Sequence, residues 1–396
     1  MSRERVVVAG AGVFGASAAL ELARRGYEVD LLDPGPLPHP LAASTDISKV
    51  IRLDYGPDED YLTAMETSLE RWRRWNADWP EPLFHETGVA FLTPGPMEPG
   101  GFEYESLRLL LAHGHRLQRL DTQMIRQRFP AWNAERYGDG YYNPAGGYAE
   151  SGKVVIQLLQ QAQAAGVSLH VGQTFERLLD NGSRVAGVLT QSGDRFEAGH
   201  VVLALGSWTP HRLPWTAPLF RSPGMPVFHL RPADPDLFRA ERFPPFCADI
   251  TNTGYYGFPL HPEAGIVKIA NHGDGRAMAP ESKERVVTQA EIGQLRGFLA
   301  DAFPALAEAE IVYTRVCLYC DTWDGHFWIA PDPDRPGLVM ATGGSGHGFK
   351  FAPMLGEWIA DALEGRANPH LPKFRWRPEV HPPRGEEAAR FQAEWQ

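Results

Sequence analysis

The feature that most limits what this chain can become is the stretch Val6-Val7-Val8-Ala9-Gly10-Ala11-Gly12-Val13-Phe14-Gly15. A short run of β-branched residues reads as a buried strand. The segment Ala16-Ser17-Ala18-Ala19-Leu20-Glu21-Leu22-Ala23 beyond it reads as a helix, so the three glycines fall on the turn between them. Gly10 permits the tight turn, Gly12 lets a pyrophosphate reach the backbone, and Gly15 lets the helix lie close to the strand. Val13 and Phe14 open the helix, whose unpaired N–H groups and positive dipole end suit phosphates. A second strand, Glu28-Val29-Asp30-Leu31-Leu32-Asp33, ends in an acid placed to bond a ribose hydroxyl. Pro34 and Gly35 follow, where a 2′-phosphate would want an arginine. Strand, glycine turn, helix, second strand and acid together predict an α/β unit that binds an ADP-containing dinucleotide.

At 396 residues the chain has room for two domains, or for one large α/β body with an inserted unit. A net charge of −11 argues against nucleic acid or an anionic membrane surface as partner. No apolar run is long enough to cross a bilayer. A strand within the first ten residues argues against a signal peptide. Three cysteines, Cys247, Cys317 and Cys320, make no disulfide framework and point to a reducing, cytoplasmic setting. Cys317 and Cys320 have C-x-x-C spacing, but no second Cys/His cluster completes a four-ligand zinc site, so no metal is expected. A monomer that takes a small-molecule substrate is the expected state.

Further along, Leu62, Met65, Leu69 and Trp72 recur at spacings of three and four, which predicts a helix with one buried face. Arg71, Arg73 and Arg74 on that helix read as a solvated face. Residues 81–147 are dense in Pro, Gly and aromatics around one helix near Leu107–Leu111, a first excursion from the nucleotide unit. The chain returns through a helix at Val154–Ala162, a strand near Val167–Val171 and a hairpin. The apolar strand Val201-Val202-Leu203-Ala204-Leu205-Gly206 then suits a parallel strand ending at the cofactor. Short strands and turns over residues 216–317 suggest an antiparallel sheet. The last return is strand Leu338–Thr342, a glycine loop, and a helix at Met354–Leu363. The expected architecture is α/β: a Rossmann-like domain of residues 1–80, 148–215 and 318–380, interrupted by a substrate domain of 81–147 and 216–317, with a tail at 381–396.

Three separated stretches carry a family resemblance: Gly10 to Gly15 with Asp33, the strand ending at Gly206, and Gly343-Gly344-Ser345-Gly346-His347-Gly348-Phe349-Lys350. They resemble the D-amino-acid-oxidase superfamily of flavoproteins. Arg315-Val316-Cys317, then Asp321-Thr322-Trp323-Asp324-Gly325-His326-Phe327, is similar to its monomeric sarcosine oxidase and fructosyl-amine oxidase (Amadoriase) branch. The resemblance spans most of the chain and weakens across residues 80–147 and 216–251. It implies FAD, with Ser44, Thr45, Gly206, Gly344, Ser345, Gly346, His347, Gly348, Phe349 and Lys350 joining Gly10, Gly12, Val13, Phe14, Gly15 and Asp33 around it. It also implies a thioether from Cys317 to the flavin ring methyl, with Cys320 as the alternative attachment point.

The resemblance implies further that Arg52 and Lys350 clamp a substrate carboxylate; an arginine fork and a lysine point charge together can fix both oxygens. By the residues alone, Arg52 reads equally as a salt-bridged loop residue with Asp46 or Asp54 nearby. Lys268, in Ile266-Val267-Lys268-Ile269-Ala270-Asn271-His272, is a charge within an apolar strand, which is costly if unpaired. The resemblance makes it the lysine at the flavin edge that assists reaction with oxygen, His272 an active-site histidine and Tyr256 a wall of the substrate cavity. The bland reading of Lys268 is an edge-strand lysine turned outward. Ser48-Lys49 departs from the Thr-Arg of sarcosine oxidases. Lys49, placed here among the catalytic residues, looks more like the fructosyl-amine and saccharopine oxidases, as does Phe374-Arg375-Trp376-Arg377-Pro378. The expected activity is oxidation of a secondary amino acid to an imine with O2 reduced to H2O2; a bulkier N-substituent and a dehydrogenase using another acceptor are the rivals.

Overall fold

The computed structural model describes residues 4–379; the expected tail at 381–396 lies outside them. Two sheets organise the chain. The first has six strands in the order Trp328–Pro331, Leu338–Thr342, His200–Leu203, β1 (Arg5–Ala9), β2 (Glu28–Asp33) and Ser168–Val171. All pairs are parallel except Trp328–Pro331 against Leu338–Thr342. Val6, Val7 and Val8 are fully buried, and the period of two explains how one strand feeds two cores. Val6 and Val8 pack with α1 (Val13–Arg24) and the helices Ser151–Ala164 and Ala352–Glu364, whereas Val7 and Ala9 pack beneath the three-stranded sheet of residues 175–197.

The second sheet is mixed. Its path runs from Arg276–Ala277 through Pro223–Arg231, Val267–Asn271, Tyr255–Phe258, Phe246–Ala248, Val89–Thr93 and Asp139–Asn143 to Gln118–Asp121, and Glu310–Leu318 also pairs with Pro223–Arg231. Phe246–Ala248 against Val89–Thr93 is its one parallel pairing among the described strands. Cys317 closes Glu310–Leu318, and the chain then crosses back into the six-stranded sheet. A small sheet joins β3 (Lys49–Ile51) to Gly147–Ala149 and Phe84–His85. It ties the start of the residue 81–147 excursion to the strand that leads into Arg52.

The helix expected from Leu62, Met65, Leu69 and Trp72 is α2 (Glu59–Asp78), and all four side chains are buried. Asp58 caps it by accepting from the Tyr61 N–H at 3.1 Å. Its arginines are paired on the outer face, Arg71 with Glu357 and Arg73 with Glu86. The helix expected near Leu107–Leu111 is α3 (Phe102–Ala112), which lies over Arg52.

Candidate active site

The glycine turn is held by close approach. Gly10 has φ +101°, and a Cβ there would meet the Ala204 carbonyl oxygen at 2.4 Å; a Cβ on Gly15 would stand 1.8 Å from the Gly10 oxygen. Only glycine lets the helix start this near the strand. The cap of α1 is Gly12, which supplies no side-chain acceptor, and the Val13 N–H donates to Ser44 Oγ at 3.4 Å. Asp33 is buried and accepts from the Ala11 and Gly35 N–H groups, both at 2.8 Å. Each of its oxygens keeps a second lone pair for a ribose hydroxyl.

Gly10, Gly12, Val13, Asp33 and Ser44 line a cleft that also includes His39, Gln173, Gly206, Ser207, Trp208 and Cys320. Its lining includes Asp33, where a ribose would sit, and also Tyr319 and Gly346. The cleft fits an elongated dinucleotide. Gly10 and Gly12 leave room for a pyrophosphate, the wall is mostly apolar, and the buried Ser207 hydroxyl has no partner among the described residues. The second glycine loop closes onto the first: Cβ atoms on Gly344 and Gly348 would press on the Phe14 ring at 3.3 and 3.0 Å. Phe349 also lines the cleft.

Several residues expected around the cofactor also hold the loops. Ser345 has φ +44°, is fully buried, donates to the Gly343 carbonyl and accepts from the Thr322 N–H. Thr45 gives its carbonyl to Arg315, and its hydroxyl is buried without a partner among the described residues. His347 lies between Tyr55 and the Gly325 carbonyl.

The two cysteines differ in surroundings. Cys317 Sγ lies 4.0 Å from both Lys49 Nζ and the Ala43 carbonyl oxygen. Lys49 itself lines the cleft. Cys320 also lines the cleft, but burial pushes its thiol up to about 11 and its sulfur meets the Thr342 hydroxyl at 3.3 Å.

Lys268 is sealed rather than outward. Its ammonium forms a 2.7 Å ion pair with Asp46 and donates to the Ser48 carbonyl at 2.6 Å, both side chains being essentially inaccessible. Burial draws the ammonium down to about 8 against the pull of Asp46. Burial opposes ionisation of Asp46 too, yet Lys268 and a hydrogen bond from His229 hold its carboxyl well below the usual range.

Beyond the Gly346 turn stand the residues expected to meet substrate. A Cβ on Gly346 would strike Tyr319 at 2.5 Å and His272 at 2.8 Å, and His272 Nδ1 is 3.2 Å from the Tyr319 hydroxyl. Tyr256 packs edge-on to His272, and burial raises its phenol well above the usual range. Arg52 and Lys350 are both buried and share one ring: the guanidinium lies 5.3 Å and the ammonium 4.7 Å from the centre of Tyr55. Phe91 and Phe102 lie at 5.9 and 5.5 Å from the same guanidinium. Sequence reasoning did not single out Tyr55 or Tyr319, although one stands three residues after Arg52 and the other inside Cys317-Leu318-Tyr319-Cys320. It placed Asp46 beside Arg52, but the ion pair of Asp46 is with Lys268.

The cofactor turn, the closing glycine loop and the strands between them span most of one family profile: that of DAO, FAD dependent oxidoreductase, which matches residues 5–362. The chain belongs to this family. It is therefore an FAD-dependent oxidoreductase. Monomeric sarcosine oxidase from Bacillus sp. (strain B-0618) is 27% identical over 376 residues, covering 93% of this chain and 94% of the relative. L-saccharopine oxidase from Schizosaccharomyces pombe is 28% identical over 423 residues, covering 95% and 94%. The solved fructosamine oxidase (Amadoriase II) from Aspergillus fumigatus superposes with a TM-score of 0.82 at 25% identity, covering 96% of this chain and 90% of that one. Among the described residues no cluster of three His, Cys, Asp or Glu side chains can hold a metal ion. No described helix is long and apolar enough to cross a membrane.

Proposed function

We propose that this FAD-dependent oxidoreductase is an oxidase of secondary amino acids. The observation that carries the reading is the pair of buried cations, Arg52 and Lys350, that share the Tyr55 ring. FAD, when bound, would supply the two-electron acceptor: two electrons and one proton leave with the C–H next to nitrogen and a second proton leaves nitrogen, water hydrolyses the resulting imine, and O2 takes up the two electrons and two protons as H2O2. The chain's part is placement and charge. Arg52 and Lys350 hold the carboxylate, which fixes the carbon beside nitrogen toward the cleft. Tyr256, His272 and Tyr319 wall the opposite side and exclude water. Lys49, which lines the cleft, supplies positive charge there, where a cation favours electron transfer to oxygen, while the charge of Lys268 is largely balanced by Asp46.

Cys317 is the proposed site of a covalent flavin bond. The Lys49 ammonium stands 4.0 Å from its sulfur, whereas burial holds Cys320 as a thiol against the Thr342 hydroxyl. Lys49 also supports an N-substituent larger than methyl, in keeping with the relatives named for saccharopine and fructosamine. Three buried, unbridged cysteines support a reducing, cytoplasmic setting, and a monomer completes the reading.

The deciding experiment mixes the anaerobic yellow protein with sarcosine, pipecolate, proline, saccharopine and fructosyl-valine, then admits air. Bleaching near 450 nm (roughly the usual flavin band) by one of them, with rapid return of colour and peroxide in air, is expected. Bleaching that air does not reverse points to a dehydrogenase. No bleaching by any of these carboxylates refutes the secondary amino acid reading.

A further inference from the structure

A lysine ammonium ends a flexible stem, and it orients a carboxylate well only if something fixes it first. Around Lys350 the fixing groups run in a line. Its backbone carbonyl accepts from Ser68 Oγ at 2.7 Å and Trp72 Nε1 at 2.8 Å, which pins the stem. Its ammonium donates to the Tyr55 hydroxyl at 3.1 Å. That hydroxyl lies 2.9 Å from His347 Nδ1, and His347 Nε2 lies 2.9 Å from the Gly325 carbonyl oxygen.

The direction of these bonds follows from chemistry. A carbonyl oxygen only accepts, so Nε2 carries a proton. A second proton on Nδ1 would add an imidazolium beside the two cations already at Tyr55, and like charges disfavour it. Nδ1 therefore accepts, the Tyr55 hydroxyl gives its proton to it, and the tyrosine oxygen is left with only lone pairs to offer Lys350. The turn that bears Gly325 is itself clamped. Arg377 forks onto Asp324 at 2.5 and 2.8 Å and donates to the His326 and Phe327 carbonyls at 2.9 and 3.1 Å.

We propose that Tyr55 and His347 are positioning residues for Lys350, a relay of fixed proton direction that runs from the Arg377-clamped turn to the clamp ammonium. The inference rests on the reading of Lys350 as half of a carboxylate clamp. Plain aromatic packing is the competing explanation, since Tyr55 stacks on Tyr61 at 4.7 Å and His347 lies 4.7 Å from Phe327. Packing, however, needs rings and not hydrogen-bonding atoms.

The test keeps the rings. Holoenzymes carrying Tyr55→Phe, His347→Phe, both together, and Lys350→Met are titrated with acetate and with acetamide, following the flavin spectrum. Each ring-preserving variant is expected to weaken acetate roughly 10- to 150-fold, as loss of one hydrogen bond to a charged group does, and to leave acetamide unchanged. The double variant is expected to be no weaker than the weaker single, because one chain is cut in two places. Acetate bound by Tyr55→Phe and His347→Phe as in the wild type, while Lys350→Met loses it, overturns the relay. So does equal weakening of acetate and acetamide, which marks general loosening. A wild-type flavin undisturbed by acetate, or Lys350→Met binding it normally, refutes the clamp itself. Should His347→Phe emerge without flavin, Tyr55→Phe decides alone.

Discussion

Replacing Asp46 with Asn tests the buried ion pair, because it removes a charge and keeps the shape. At 2.7 Å the attraction to Lys268 is worth about 6 kcal/mol with an effective dielectric near 20. The stranded ammonium has an escape, since it can release its proton. At pH 7 deprotonating a lysine costs about 5 kcal/mol relative to the unfolded chain, which caps the loss. Asp46→Asn is therefore expected to destabilise the protein by about 3–5 kcal/mol near neutral pH. The pH dependence is the sharper signature. In the wild type the folded ammonium titrates at about 8, so its contribution is flat below that pH. In the variant the folded lysine is already neutral while the unfolded one still binds a proton, so stability rises by about 1.4 kcal/mol per pH unit. The deficit should shrink between pH 6.5 and 8 and stay constant above 8, where both proteins rise together. Urea unfolding of the FAD-saturated proteins across that range measures it. A variant within 1 kcal/mol of wild type, or a deficit that does not change between pH 6.5 and 8, refutes the reasoning. Asp46→Leu combined with Lys268→Met should recover most of the stability, since apolar groups of similar volume replace buried pairs well.

Three further outcomes follow from the geometry. Cys317→Ser should release its flavin on acid precipitation while Cys320→Ser keeps it in the pellet; flavin in the supernatant from the wild type would contradict the thioether. Gly15→Ala should purify colourless, because its methyl would stand 1.8 Å from the Gly10 oxygen, and a full 450 nm band (roughly the flavin maximum) would show that the turn can open. Burial pushes the Glu103 carboxyl up to about 7. The wild type should thus lose stability as pH rises from 4.5 toward 7, because the unfolded carboxyl ionises first. Glu103→Gln, which still accepts from the Ile250 N–H, should gain on it by about 3 kcal/mol across that window and hold the gain above it. Chemical denaturation of both at pH 4.5, 6 and 8 (about the span needed) measures the difference, and parallel curves would exclude the titration.

What was legible in the chain was what neighbours in sequence decide. The strand, glycine turn and helix at residues 5–24 rest on contacts within a few residues, and the buried face of α2 on a period of 3.6. The specific pairs were another matter. Lys268 declares itself as a charge in an apolar strand, but its acceptor, the Ser48 carbonyl, lies 220 residues upstream. Nothing local distinguished Asp46, which pairs with Lys268, from Asp54, which accepts from the Tyr141 hydroxyl at 2.7 Å. Tyr55 was overlooked because the groups its hydroxyl meets, among them His347 and Lys350, lie 292 and 295 residues away. The glycine-rich loop at 343–348 announced itself by composition, whereas the work of Ser345 and His347 inside it depends on which strands the loop meets.

The cations near the cleft are distinguished by what faces them. A carboxylate cancels a neighbouring charge; an aromatic face attracts a cation and leaves its charge in place. Lys268 has Asp46 at 2.7 Å, so the pair is close to neutral as seen from the cleft. Arg52 and Lys350 lie against Tyr55, Phe91 and Phe102, and the acids nearest them are shifted toward their uncharged forms. Burial raises the Asp54 carboxyl and brings that of Glu103 up to about 7. Asp54 interacts with both cations and Glu103 with Arg52, and burial weakens the ionisation of each acid. In the proposed clamp a substrate carboxylate gains its attraction from Arg52 and Lys350. An uncharged amine of the same shape gains none of it, and discrimination between the two should fall as salt rises only to the extent that solvent reaches the two cations.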